Sequence, residues 1–305
     1  MSASSIVVAS PRTAVLGRAL DYIELTKPRI AVMELVVVLA AGMVATWGQP
    51  QPGVLLNAML GTLLVAASAS AVNQWLERRQ DARMQRTADR PIAAGRLSGL
   101  EAIVFSAVCL VAGGVQLILL VNAASAFWAL ATWALYVLAY TPLKTKSALN
   151  TAVGAVAGAM PVLIGWTAVG GKLDARAEAL VLVLFLWQFP HFMAIAWIYR
   201  RDYASAGYKM LTVIEPSGCR AGRQAMLAAL ALVPVSIVPV LGAPGLGSLL
   251  YCLSAAALGI GYLLAAALFW QRPTDSRARL LLKVSLVYLP TLLVTLMLAP
   301  WITQR

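Results

Sequence analysis

In the segment NQWLERRQDARMQRTADRP (73–91), Asn73, Glu77 and Asp81 stand four residues apart. On a helix that spacing puts all three on one face. From first to last they climb ~12 Å at 1.5 Å per residue. The apolar run 54–76 leads directly into them, so the three oxygens form a stripe at the mouth of a membrane helix. Such a stripe suits a hard divalent cation. Mg²⁺ takes one or two carboxylates and fills its remaining positions with water and substrate phosphate.

The same segment carries Arg78, Arg79, Arg83, Arg86 and Arg90. Arginines beside a metal site can hold phosphate oxygens through paired N–H donors. Arginines in a cytoplasmic loop also set membrane topology without doing chemistry. Topology does not explain the Asn/Glu/Asp ladder, which therefore marks the site.

The elements that position the ladder are apolar. The chain has 305 residues, 61% hydrophobic and 12% charged, with mean hydropathy +0.80. Soluble domains carry roughly 25% charged residues, so this is an integral membrane protein. The Ala-, Leu- and Val-rich composition favours packed helices over a β-barrel. Nine segments reach the ~20 residues that a bilayer core requires: 30–47, 54–76, 99–120, 123–140, 150–169, 178–198, 225–242, 246–270 and 281–302. The fold class is all-α, a polytopic bundle of about nine helices around a central cavity. Residues 1–29 read as a cytoplasmic tail and 30–305 as a single domain.

All but three of the 24 Lys and Arg lie in or beside the N-terminal tail and the loops after spans two, four, six and eight; the exceptions are Lys172, Arg176 and Arg305. The positive-inside rule makes that set cytoplasmic, the N-terminus included. Basic charge confined to short loops explains the net +12 without nucleic acid. Both long loops, 77–98 and 199–224, are on the cytoplasmic side, and long loops in compact proteins are usually functional. Each follows the second span of a four-span group, which suggests a parallel duplication with a ninth span appended. Cys109, Cys219 and Cys252 lack metal-ligand spacing and predict no disulfide.

A second constellation closes span six in LWQFPHFMAIAWIYRRDYASAGYKML. Asp202 and Tyr203 stand at its cytoplasmic end among Arg200, Arg201 and Lys209. By symmetry Asp202 would be the second half's metal or phosphate ligand, or else the partner of a neighbouring arginine. His191, the only histidine in the chain, follows Pro190, which loosens a helix and frees backbone carbonyls. A histidine at membrane depth is either a hydrogen-bonded structural residue or functional: a haem contact, a proton acceptor or a partner of Asn/Tyr groups. YTPLKTKSALN after span four adds Tyr140, Lys144 and Lys146 on the same side. Glu34, one turn into span one, could pair with Lys27, Arg29 or a group on another helix.

These segments together resemble the haem-farnesylating branch of the UbiA-type intramembrane prenyltransferases, over nearly the whole chain. The similarity begins at TKPRI (26–30). The ladder then runs into an MxRTxxRP motif at Met84, Arg86, Thr87, Arg90 and Pro91. YTPLK (140–144), LNTxxG (149–154) and LIGW (163–166) resemble the next block. LWQFPHF (186–192) and YRRDYASAGYKML (199–211) resemble the block that separates this branch from the rest. One departure is that the residue four after Asp202 is Ala206, where the superfamily commonly has a second Asp-x3-Asp pair.

The resemblance implies a Mg²⁺-dependent transferase moving the farnesyl group of farnesyl diphosphate to a vinyl group of haem B, with water addition to give haem O. It implies Asn73, Glu77, Asp81 and Asp202 as metal and catalytic residues, and His191 as catalytic and haem-binding. Arg83, Arg86, Arg90, Tyr140, Lys144, Arg200, Tyr203 and Lys209 would bind the diphosphate. The expected setting is a bacterial plasma membrane, with haem A synthase or terminal oxidase assembly proteins as further partners. A prenyltransferase for a quinone precursor or another aromatic acceptor is the alternative. A transporter is a weaker one, because its charged sites belong at the bilayer midplane rather than at one rim.

Overall fold

The structure, a computed structural model, describes residues 11–243 and 245–303; Arg305 lies outside them. Every regular element among these residues is helical. In chain order the helices are α1 (Pro11–Leu25), α2 (Pro28–Ala45), α3 (Pro52–Asp81), α4 (Gly99–Leu120) and α5 (Ala123–Ala134). After α5 come a π-helical turn (Leu135–Tyr140) and the short α6 (Thr141–Leu143). Then follow α7 (Asn150–Ala159), α8 (Pro161–Ala168), α9 (Ala175–Ile198), α10 (Arg200–Ser205) and α11 (Leu211–Ile214). The chain ends with α12 (Cys219–Val235), α13 (Leu246–Gln271) and α14 (Asp275–Thr303).

Nine of these units are long and apolar enough to cross a membrane, and each coincides with an expected span. Two boundaries differ in ways that matter. The second span does not stop at 76 but stays helical through Asp81, so the whole ladder lies on rigid helix. The seventh begins at Cys219 rather than 225.

Local chemistry sets the ends. Pro28, Pro52 and Pro161 open α2, α3 and α8, where the missing N–H has no intrahelical partner to lose. Ser98 and Glu101 form a reciprocal capping box at the start of α4. The Asp174 carboxylate accepts from Arg176 and Ala177 N–H groups and starts α9.

One buried cluster joins α9, α12, α13 and α14 to part of α2, and a second joins α2, α3, α4, α5 and α8. The halves meet where α2 crosses α8. A Cβ built on Gly165 would lie 2.0 Å from the Val38 carbonyl oxygen, so only glycine permits that approach.

The stretch read as a tail contains α1. Its Leu25 is buried with Ala71, Ile92, Leu97 and Ala102, and Arg96 reaches Asp21 at 2.7 Å and Glu24 at 2.8 Å. All three cysteines are free.

Candidate active site

Asn73, Glu77 and Asp81 occupy the last turns of α3, and all three are buried. Each faces a different basic side chain. Lys27 Nζ donates to Asn73 Oδ1. Lys144 Nζ lies 2.7 Å from Glu77 Oε1. Arg90 Nη1 donates to both Asp81 oxygens, each at 2.8 Å. The Asn73 amide also donates to Thr141 Oγ1 at 3.0 Å, and Thr141 donates to the Tyr136 carbonyl at 2.9 Å. The Lys144–Glu77 contact is a close, buried ion pair.

Each cation arrives by a different local device. Lys27 sits just before Pro28 in the left-handed region (φ 53°). That turn takes the chain from α1 into α2 and leaves its side chain inward. Lys144 follows the π-helical turn, a feature that π-bulges often bring to functional sites. The same turn packs Tyr136 against Tyr140 with ring centroids 5.2 Å apart and the rings tilted by 39°. It leaves Lys144 Nζ 4.5 Å from the Tyr140 ring centroid. Lys144 is further pinned because its carbonyl accepts the Lys209 N–H at 2.7 Å. Arg90 lies in the loop after α3, held by Thr87, whose hydroxyl donates to the Asp81 carbonyl at 3.0 Å.

Burial pushes the Lys27 ammonium down to about 7, with Arg90 adding to the shift. Burial would depress Lys144 too, but the Glu77 carboxylate overrides it and lifts Lys144 well above the usual lysine range. The difference is physical: Lys144 has a carboxylate in contact, whereas Lys27 has only a neutral amide.

The second constellation is brought partly to this site. Met84 is buried among Tyr203, Tyr208 and Met210. Arg86 Nη2 lies 3.4 Å from Tyr203 OH and the Arg86 guanidinium sits 4.8 Å from the Tyr199 ring centroid. Ser205 donates to the Arg83 carbonyl at 3.3 Å. Thus α10, which carries Asp202 and Tyr203, packs on the loop that carries Arg83, Arg86 and Arg90.

Other expected residues stand apart. Among the described residues no three His, Cys, Asp or Glu side chains converge as a metal cage. Asp202 rides on α10, a short helix separate from α9, which ends at Ile198. Arg200 turns to Asp275 at 2.7 Å and stacks on Trp197. The Arg83 and Lys209 side chains are exposed at the rim. Lys27 Nζ donates to Asn73, and its charge also acts on Glu34. Lys27, Thr141 and Tyr208 were not among the expected site residues. Lys27 had a signal in the TKPR motif; Thr141 had none beyond its place after Tyr140.

His191 lies in a different part of α9. Its Nδ1 is 2.8 Å from Ser285 Oγ on α14, and its ring stacks on Trp187 with centroids 4.8 Å apart. Ser285 Oγ donates to the Leu282 carbonyl at 2.6 Å, so it accepts from His191 Nδ1–H. That arrangement leaves the Nε2 lone pair free. Pro190 sits inside a continuous α9, and the nearby Trp187 carbonyl accepts Tyr262 OH at 2.9 Å.

A magnesium ion fits the ladder on donor chemistry. Two carboxylates and an amide oxygen are the few protein ligands Mg²⁺ takes, leaving positions for water and phosphate. Glu77 Oε1 is one of the buried side-chain oxygens for which no hydrogen bond is formed, with only the Lys144 charge at 2.7 Å beside it.

The UbiA prenyltransferase family model matches residues 35–287. The chain belongs to the UbiA prenyltransferase family. The prenyltransferase is 41% identical over 282 residues to the protoheme IX farnesyltransferase of Solibacter usitatus, covering 88% of this chain and 95% of that one. It is 38% identical to the Koribacter versatilis protein of the same name, covering 98% and 99%. Its fold is similar to that of a digeranylgeranylglyceryl phosphate synthase, with TM-score 0.77 at 18% identity over 93% of this chain and 99% of that one. An Archaeoglobus fulgidus UbiA homologue bound to GPP and Mg²⁺ has TM-score 0.67 at 15% identity, over 90% and 99%.

Proposed function

We infer that this prenyltransferase transfers the farnesyl group of farnesyl diphosphate to a vinyl group of haem B, with addition of water, giving haem O and diphosphate. The observation that carries this reading is near-full-length similarity, at about 40% identity, to proteins named protoheme IX farnesyltransferase. The buried acid ladder ringed by basic side chains supports it.

Asn73, Glu77 and Asp81 are the proposed Mg²⁺ ligands, with Asp202 on α10 as a further candidate for metal or phosphate. Bound Mg²⁺ would supply positive charge to the leaving diphosphate. Lys144, Arg90 and Arg86 would hold the diphosphate oxygens as the carbon–oxygen bond breaks, where fixed cations are strongest in a water-poor site. Tyr140, Tyr203, Arg83, Arg200 and Lys209 are the remaining candidates for that role. The allylic cation needs apolar surroundings until the vinyl carbon reaches it. His191, with its Nε2 lone pair free, is suited to contact haem or to accept a proton during water addition. The basic rim supports the cytoplasmic side of a plasma membrane as the setting for this chemistry. Haem A synthase or terminal oxidase assembly proteins are natural recipients of the product.

The direct test expresses the chain in membranes that make only haem B and analyses extracted haems by mass. A farnesylated, hydrated haem is the expected product. A prenylated quinone precursor with unaltered haem would refute the assignment.

A further inference from the structure

The single histidine is held by more than burial requires. His191 stands on α9 between Trp187, one turn before it, and Ser285 of α14. Its Nδ1–H donates to Ser285 Oγ at 2.8 Å. Ser285 is fully buried, and its own proton goes to the Leu282 carbonyl at 2.6 Å. Trp187 stacks on the imidazole with 24° between the ring planes. The indole is fixed in turn, because its Nε1 donates to the Ser285 carbonyl at 2.9 Å. The Trp187 carbonyl accepts from the buried Tyr262 hydroxyl of α13, also at 2.9 Å. Three helices thus set the tautomer and the plane of one ring.

The nitrogen left over is Nε2. It has no partner among the described residues, and the ring is only partly buried. Two roles suit a free imidazole nitrogen, and the surroundings separate them. A proton acceptor becomes an imidazolium, which in an apolar interior needs an anion beside it. Among the described residues no Asp or Glu lies against this ring, and Ser285 and Trp187 are neutral. A metal ligand stays neutral, and the N–H opposite the ligating nitrogen is ordinarily tied to an acceptor that orients the ring.

We infer that Ser285 is a positioning residue that presents His191 Nε2 as an axial ligand to the iron of the porphyrin substrate, with Trp187 fixing the plane of the ring. This rests on the reading of haem B as the prenyl acceptor. A bond at the centre of the macrocycle fixes its depth along α9, and the acceptor on Nδ1–H strengthens that bond by making the imidazole a better donor.

The test uses the full chain in nanodiscs and two probes, haem B and metal-free protoporphyrin IX, which differ in the iron. With ferrous haem B the wild type is expected to show an iron–histidine stretching band in resonance Raman spectra, absent from His191→Ala. Ser285→Ala removes the acceptor of Nδ1–H. Its band should move to lower frequency and its affinity for haem B should fall by about 10–100-fold, while protoporphyrin IX binds as before. Ser285→Thr keeps the hydroxyl and should restore the band and the affinity; thermal melts confirm that each variant is folded. An unshifted band with unchanged affinity in folded Ser285→Ala overturns the inference. So does an equal loss of both porphyrins, which is what a merely structural role would give. A wild type that makes haem O without an iron–histidine band overturns it too, and leaves haem B as the acceptor. A wild type that binds neither porphyrin overturns both readings.

Discussion

Replacing Glu77 with glutamine keeps the shape of the side chain and removes its charge, so its effects trace to electrostatics. In the structure Glu77 Oε1 is 2.7 Å from Lys144 Nζ, and the two side chains are only 7% and 11% exposed. At an effective dielectric of 20, unit charges 4 Å apart attract by about 4 kcal/mol. Breaking a buried pair from one side costs roughly 3–5 kcal/mol, because the remaining charge is left unpaired. Lys144 retains the Tyr140 ring at 4.5 Å, which offsets part of this. The expected loss is therefore about 3 kcal/mol, at the low end of that range. Removing the second charge as well, in Glu77→Gln with Lys144→Met, should recover most of the stability. Turnover should stay abolished in both variants, since a metal ligand and a phosphate donor are gone. Equilibrium unfolding in detergent, with farnesyl transfer measured per folded molecule, reads both quantities. A single variant as stable as the wild type, or a double variant no more stable than the single, would refute the reasoning.

The arginines should separate by what they touch. Arg90→Lys, at the Asp81 carboxylate, should lower kcat/KM for farnesyl diphosphate by about 10–100-fold. Arg78→Lys should change it little, because Arg78 donates at 2.6 Å to a carbonyl of its own helix; the reverse order in steady-state kinetics would overturn the assignment. His191→Ala should eliminate haem O formation while pyrophosphate binding persists. Full specific activity of the folded variant would make His191 a structural residue only. Gly165→Ala should destabilise by about 3 kcal/mol in thermal melts, because its Cβ would meet the Val38 backbone of α2 rather than a movable side chain.

What the sequence determined by itself is set by local periodicity and by the bilayer. Four-residue spacing places Asn73, Glu77 and Asp81 on one face of any helix that contains them, whatever surrounds it. Apolar runs near bilayer length predict the nine spans, because hydrocarbon thickness is a fixed ruler. Flanking Lys and Arg mark one rim. Tertiary packing decided which charges meet. Lys27 and Asn73 are 46 residues apart, and His191 and Ser285 are 94 apart, so no local pattern couples them. Arg200 stands beside Asp202 in the sequence, yet packing of α14 against α9 presents it with Asp275. Asp202 looked like the second half's metal or phosphate ligand by symmetry, and the fold carries it on α10, a short helix separate from α9. Helix position constrains a side chain's direction within its own helix. Its partner depends on how separate helices pack, which here turns on contacts as local as Gly165 against Val38.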